Sequence, residues 1–255
     1  GCVFHEGKYH LFFQHNPLGW NWGNMHWGHA VSEDLIHWRE DDEDALCPDE
    51  HGTAFSGSAV VDWKNSSGLG AAERPPLILF YTAFGEGSPQ QVAVTQRAAW
   101  SPDGGRTFQK YTAAPVVGHI EGHNRDPKVF WHEPSQAWIM VIYVAEAGSQ
   151  RRDPLINRTP QRYAILRSKN LLSWEHASDV IIPCNGECPD LFPIPLDGDT
   201  ARERWVFWTA DGQYLLGDFD GRSFVAQGEP VELYMNGRER AAGYAAQTFN
   251  DAPGG

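Results

Sequence analysis

Two carboxylates lie in short segments of related form. Asp126 belongs to Arg125-Asp126-Pro127-Lys128-Val129-Phe130, and Glu187 to Glu187-Cys188-Pro189-Asp190-Leu191-Phe192. A third segment, Phe55-Ser56-Gly57-Ser58-Ala59-Val60-Val61, has the same kind of setting, so Ser56, Asp126 and Glu187 fall at roughly corresponding points. A single Asp or Glu most often caps a turn or faces water. Two that face one pocket from different elements can divide the work of glycoside hydrolysis. One protonates the leaving oxygen, and the other attacks or stabilises an oxocarbenium-like centre.

Aromatic residues add a binding surface. Trp20, Trp22 and Trp27 crowd one segment with Asn21, Asn24, His26 and His29. Indole faces stack on sugar rings, and amide and imidazole edges hydrogen-bond hydroxyls, so the segment reads as one wall of a carbohydrate pocket. Trp27 alternates with His29 in an apparent strand and is expected in the core instead. Other chemistries fit poorly. His5, His10 and His15 are spaced by five, and no His or Cys pair has metal-ligand spacing on a helix, so no metal site is expected. The frame Phe55-Ser56-Gly57-Ser58 is not a nucleophile elbow, and Ser56 is better suited to donating to a ligand hydroxyl. No glycine-rich loop follows a strand and opens a helix, which argues against nucleotide binding.

The elements that must position these residues repeat along the chain. Four apolar, aromatic-rich runs read as central strands: Tyr9–His15, Leu77–Ala83, Ala137–Ala145 and Arg204–Ala210, with starts 68, 60 and 67 residues apart. Each is followed by a second strand-like run and a polar turn that leads to an aromatic. Those turns are Ser32–Trp38, Ser101–Phe108, Ser168–Trp174 and Asp218–Phe224. An aromatic placed there can plug the same gap between sheets each time. The three segments bearing Ser56, Asp126 and Glu187 form a further series ahead of the central strands. Gly1–Phe4 looks like the tail of an earlier member, and Gln247–Asp251 like the head of a later one. A period of this length with about four strands predicts a β-propeller blade, and the starts of the innermost strands would then converge at one mouth. Ala98–Ser101 and Glu239–Ala242 could form a turn or two of helix, while 65–76 and 146–161 read as loops. No shift in composition marks a linker, so one domain over 1–255 is expected.

Composition agrees. The 255 residues include 26 Gly, 17 Pro and 11 Trp, a mix suited to short strands and turns. Net charge is −13, which disfavours nucleic acid and anionic membrane as partners. The longest apolar run, Ala137–Ala145, is far shorter than the ~20 residues of a membrane helix. The four Cys follow no zinc or redox spacing.

In this order and spacing the motifs resemble glycoside hydrolase family 32, the β-fructofuranosidases that include invertases, inulinases and levanases. The resemblance rests on Tyr9–Pro17, Trp22–Ala30, Asp34–Trp38, Phe55–Ser58, Arg125–Pro127, Glu187–Pro189 and Tyr244–Phe249. It implies an all-β fold, a five-bladed β-propeller followed by a β-sandwich. It also implies hydrolysis of terminal β-D-fructofuranosyl units from levan, inulin or sucrose with retention. Glu187 would be the general acid/base, with Cys188 influencing its environment. Asp126 would hold fructosyl hydroxyls and stabilise the transition state, and Arg125 would set the local electrostatics. Gln14, Trp22, Phe55 and Ser56 would line the same subsite. In the intact enzyme, like charge from Asp126 and from the family's nucleophile in a confined pocket would raise the Glu187 pKa.

The family's nucleophile is the Asp of an Asn-Asp-Pro-Asn-Gly motif whose last residue would be Gly1. The resemblance therefore implies a fragment that holds about four blades, without the sandwich, and that should not perform double displacement alone. It implies no cofactor, a fructoside as the partner, and a secreted or periplasmic location. A fructosyltransferase using the same covalent intermediate and a non-catalytic sugar-binding propeller are the rival readings.

Overall fold

The computed structural model describes every residue but 72, 86–92, 146–160, 183–185, 234–242 and 255, and only the backbone at 200 and 201. The fold is all-β, a four-blade β-propeller arrangement. The chain divides into two compact units. One holds Gly1–Ile120, Lys169–Trp174 and Phe249–Gly255, the other Glu121–Ser168 and Glu175–Thr248.

The first unit contains two sheets. The first sheet is β1 (Cys2–His5), β2 (Lys8–His15), β3 (His26–Ser32) and β4 (Trp38–Glu40), each strand antiparallel to the one before it in the chain. The second is β5 (Thr53–Val61), β6 (Leu77–Phe84), β7 (Thr95–Ser101) and β8 (Gln109–Lys110) in the same order. Their shared core joins Val3, Phe12 and Trp27 to Ala59, Leu79 and Tyr81. Asn250 bridges in parallel to Val3, with Phe4 N–H donating to its carbonyl at 2.8 Å.

The second unit repeats the plan. Its sheets are β9 (His123–His132), β10 (Ala137–Ala145), β11 (Gln161–Ser168) and β12 (Glu175–Ile182), then β13 (Asp190–Leu196), β14 (Asp199–Trp208), β15 (Gln213–Phe219) and β16 (Phe224–Ala226). A short β17 (Val231–Glu232) adds to β15. All nine residues of β10 are buried, as expected of a strand covered on both faces. The core runs from Ile139, Val141 and Tyr163 to Phe207, Leu215 and Phe219.

The expected four central strands are β2, β6, β10 and β14, and the repeated turns have one construction. Asp34, Asp103, Asn170 and Asp220 each accept two backbone N–H bonds at their Oδ1, from residues two to four further on. The residue after each has positive φ: Leu35 63°, Gly104 76°, Leu171 64° and Gly221 84°. Such an Asx turn satisfies the corner without a ladder. The aromatic that ends it packs between sheets where Phe108 meets Phe12 edge-on at 5.5 Å and Trp174 meets Phe80 at 6.1 Å. Trp38 remains partly exposed instead.

Two local expectations fare differently. Ala98–Ser101 is the end of β7 and not helix, because Ala98 and Ala99 pair with Phe80 and Leu79 in a buried ladder that overrides alanine's helix propensity. A 3-10 turn occurs instead at Glu133–Ser135, between β9 and β10. The described residues of 65–76 form a loop, held by the Asn65 and Asp62 side chains. Glu239–Ala242 and most of 146–161 lie outside the described residues.

Candidate active site

The chain is irregular within or just before the first strand of three sheets. Arg125 stands opposite Tyr143 and Lys128 opposite Val141, so Asp126 and Pro127 share one partner, Ile142. Phe55 and Ser56 likewise oppose Thr82 alone, between the pairs Ala54–Ala83 and Gly57–Tyr81. At the third position the Glu187 carbonyl accepts from Ala210 N–H at 2.9 Å while Asp190 pairs with Trp208, leaving Cys188 and Pro189 against Thr209. Each is a β-bulge, which leaves an unpaired residue, and a bulge tolerates proline because no ladder N–H is lost. Asp126 (φ 63°) and Cys188 (φ 47°) take the left-handed conformation just before their prolines. Gly57 follows the first bulge because a Cβ there would lie 1.8 Å from the Phe80 carbonyl oxygen.

The bulges correct the alignment read from the sequence. Glu187 corresponds to Arg125 and Ala54, while Asp126 corresponds to Phe55 and Cys188; Ser56 falls one place later. The offset has a chemical result, since Arg125 and Glu187 now occupy equivalent places on neighbouring strands and bond directly. Arg125 Nε and a terminal guanidinium nitrogen both donate to Glu187 Oε2, at 2.9 and 2.8 Å. The same guanidinium lies 4.6 Å from the Tyr143 ring centre and 3.7 Å from Asp126 Oδ2. Glu187 Oε1 accepts from the Tyr244 hydroxyl. The Glu187 side chain keeps 21% of its surface exposed, so the carboxyl is held at both oxygens and still open to a ligand.

Asp126 is buried, at 7% exposure. Its Oδ2 accepts from Cys188 N–H at 3.1 Å and from the Cys188 thiol at 3.5 Å. Burial pushes its carboxyl up to about 6, with the Glu187 charge adding and Arg125 and the Cys188 donors opposing. The Arg125 pKa is raised: burial disfavours its charge, but Asp126 and Glu187 outweigh that. Cys188 thus acts on the site through Asp126. Burial here raises the carboxyl that sequence reasoning treated as a hydroxyl-binding anion.

One turn deeper, Lys128 and Asp190 occupy equivalent positions after the two bulges. Their side chains are 1% and 2% exposed, and Lys128 Nζ lies 3.1 Å from Asp190 Oδ2. Thr248 closes the pair: its N–H and hydroxyl donate to Asp190 Oδ2 at 2.7 and 2.9 Å, and its carbonyl and hydroxyl accept from Lys128 Nζ. This clamp ties the strand of Asp126 to the strand of Glu187. Tyr244, Tyr143, Lys128, Asp190 and Thr248 were not singled out from sequence. Tyr244 and Thr248 do lie in the quoted Tyr244–Phe249 motif, which was the available signal.

The other expected sugar-binding residues belong to the first unit. Trp22 stacks on Phe55, with ring centres 5.8 Å apart and planes 28° apart. Ser56 follows Phe55 in the bulge, and Gln14 is an exposed residue of β2 opposite Trp27. Trp27 is core, as expected, and its Nε1–H donates to the Phe55 carbonyl at 2.9 Å, anchoring the bulge. Near this loop, His15 and His26 both bond Asp44, at 2.6 and 2.7 Å. With Cys47, His26 and Asp44 bring three potential metal donors within 4.8 Å of one another, a grouping that sequence spacing did not reveal. The two Asp44 oxygens are each bonded by one of these imidazoles.

Comparison with known proteins places the chain in a family. The family model described as the glycosyl hydrolases family 32 N-terminal domain matches residues 1–254. The chain belongs to that family. It is 40% identical over 269 residues to a levanase of Bacillus subtilis, a match covering 99% of this chain and 36% of the levanase. It is 37% identical over 270 residues to an extracellular exo-inulinase of Aspergillus niger, covering 91% of this chain and 47% of the relative. Among solved structures, a fructofuranosidase from Schwanniomyces occidentalis complexed with fructose superposes with a TM-score of 0.78 at 33% identity. That match covers 99% of this chain and 49% of the fructofuranosidase. The family 32 chain therefore spans less than half the length of these relatives.

Proposed function

We propose that this chain carries the sugar-binding and acid/base portion of a retaining exo-β-fructosidase that acts on terminal fructosyl units of levan, inulin or sucrose. The observation that carries the reading is Glu187, held at one oxygen by Arg125 and at the other by Tyr244 beside a buried Asp126. In this scheme the Glu187 carboxyl protonates the departing glycosidic oxygen, and its carboxylate then takes a proton from the incoming water. Arg125 stabilises the carboxylate state by offsetting its charge, and its two N–H groups fix the position of the oxygen they share. Asp126 accepts fructosyl hydroxyls and supports positive charge developing at the anomeric carbon. The family resemblance assigns Gln14, Trp22, Phe55 and Ser56 to binding of the fructosyl unit, as residue types suited to stacking on a sugar and to polar contact with its hydroxyls. The covalent intermediate requires the Asp that the resemblance places just before Gly1.

The names of the levanase and exo-inulinase relatives support a fructan substrate, and the word extracellular in the second supports secretion. Among the described residues no helix is long and apolar enough to cross a membrane. The reading is tested with the protein extended to include the Asn-Asp-Pro-Asn segment and the blade beyond residue 255. Free fructose should appear from levan, inulin or sucrose. Products lengthened by a fructosyl unit at high sucrose would show a transferase, and no turnover on any of the three would reject the proposal.

A further inference from the structure

Trp20 is fully exposed, at 105% of its reference surface, with Leu18 at 83% and Trp22 at 69% beside it. A large apolar residue left wholly in water is informative when neighbours of the same kind surround it. The loop that presents it is not loose. Asn16 gathers it, its amide nitrogen donating to the Asn21 carbonyl at 2.8 Å and its oxygen accepting from Leu18 N–H at 3.0 Å and Asn24 at 3.5 Å. The Gly19 N–H also donates to the Asn16 carbonyl at 3.4 Å. In a chain of net charge −13, residues 16–24 contain no charged side chain, only amides, glycines, a proline, Leu18 and the two Trp. Trp22 lies against Phe55 and is committed to that contact; Trp20, two residues earlier, has both indole faces open.

From this we infer that Trp20 and Leu18 form a preorganised platform for the sugar units that follow the terminal fructosyl residue of a neutral fructan chain. The inference rests on the proposed function and adds a second contact region to it. A neutral, amide-rich surface with an open indole fits an uncharged polyol, whose C–H faces stack on the ring while its hydroxyls meet Asn21 and Asn24. A platform outside the terminal-unit site helps long substrates only, so it selects fructan over sucrose or free fructose.

Binding is measured by calorimetry on the chain, with free fructose and with an inulin-type oligosaccharide of five fructosyl units as probes. Trp20→Ala should weaken the oligosaccharide roughly threefold to tenfold, the range of one aromatic stacking contact. Fructose affinity should stay within about twofold, Trp20→Phe should recover part of the loss, and the oligosaccharide should shift the indole fluorescence of the parent but less that of Trp20→Ala. Equal affinity of parent and Trp20→Ala for the oligosaccharide overturns the inference and leaves the proposed function standing. The same holds for equal losses on both probes. A parent chain that binds neither probe overturns both.

Discussion

Removing the charge at Lys128 tests how the two acid-bearing strands are held together. Lys128 and Asp190 are both nearly excluded from water, and Thr248 supplies the remaining hydrogen bonds. Replacing Lys128 by Met keeps volume and apolar stem but leaves the Asp190 carboxylate, among the described residues, with the Thr248 and Leu191 donors. A buried ion stripped of its partner costs about 3–5 kcal/mol. Asp190→Asn should cost a similar amount, because it strands the Lys128 ammonium. Lys128→Met combined with Asp190→Asn removes both charges and preserves an acceptor for Thr248. It should therefore lose at least about 2 kcal/mol less than the sum of the single losses. The assay is urea unfolding of the four proteins at one pH, followed by tryptophan fluorescence and circular dichroism. Single losses below about 1 kcal/mol that simply add would refute the idea that this buried pair clamps the strands.

Two pH-dependent outcomes follow from burial. Asp126 has a folded value near 6, above its ordinary 3.8, so its contribution favours the folded state at low pH and is lost as pH rises through about 6. Asp126→Asn, which keeps an acceptor for Cys188 and tolerates the left-handed backbone, should then stabilise the chain by up to about 3 kcal/mol at pH 7.5 and little at pH 4. A lower melting temperature at pH 7.5 would contradict it. His10 runs the other way: burial, with His29 and His5 nearby, lowers it from 6.5 to about 4. The unfolded chain takes up that proton first, so its stabilising effect is complete above about pH 6.5 and fades towards pH 4. The unfolding free energy of the parent relative to His10→Asn should fall by about 3 kcal/mol between pH 7.5 and 4, and a constant difference would count against the buried neutral imidazole.

The fold was legible because the same solution recurs. Each central strand is a run of Ile, Val, Leu and aromatics closed by a polar corner, and one blade's reading supports the next. Asp34, Asp103, Asn170 and Asp220 could be aligned by eye, although their shared hydrogen bonds needed coordinates. Motif order singled out Glu187, Asp126 and Arg125, and the structure brings these three side chains together. The one-residue offset was not legible, because a bulge is a property of two paired strands and neither strand's sequence contains the register. For the same reason Lys128 and Asp190 read as ordinary charges: only the ladder brings two residues from different blades to equivalent depth. Ala98–Ser101 misled because local propensity there yields to the strand's partners.

The central claim is that Glu187 handles the proton. It is tested most directly by Glu187→Gln in the protein extended through the Asn-Asp-Pro-Asn segment and the following blade, with initial rates of fructose release from levan and sucrose. Glutamine preserves the acceptor facing Arg125 or Tyr244 but cannot donate and recover a proton. The account predicts that kcat falls by about 10²–10⁴ with affinity for fructose retained. Release at the parent rate by Glu187→Gln would contradict it.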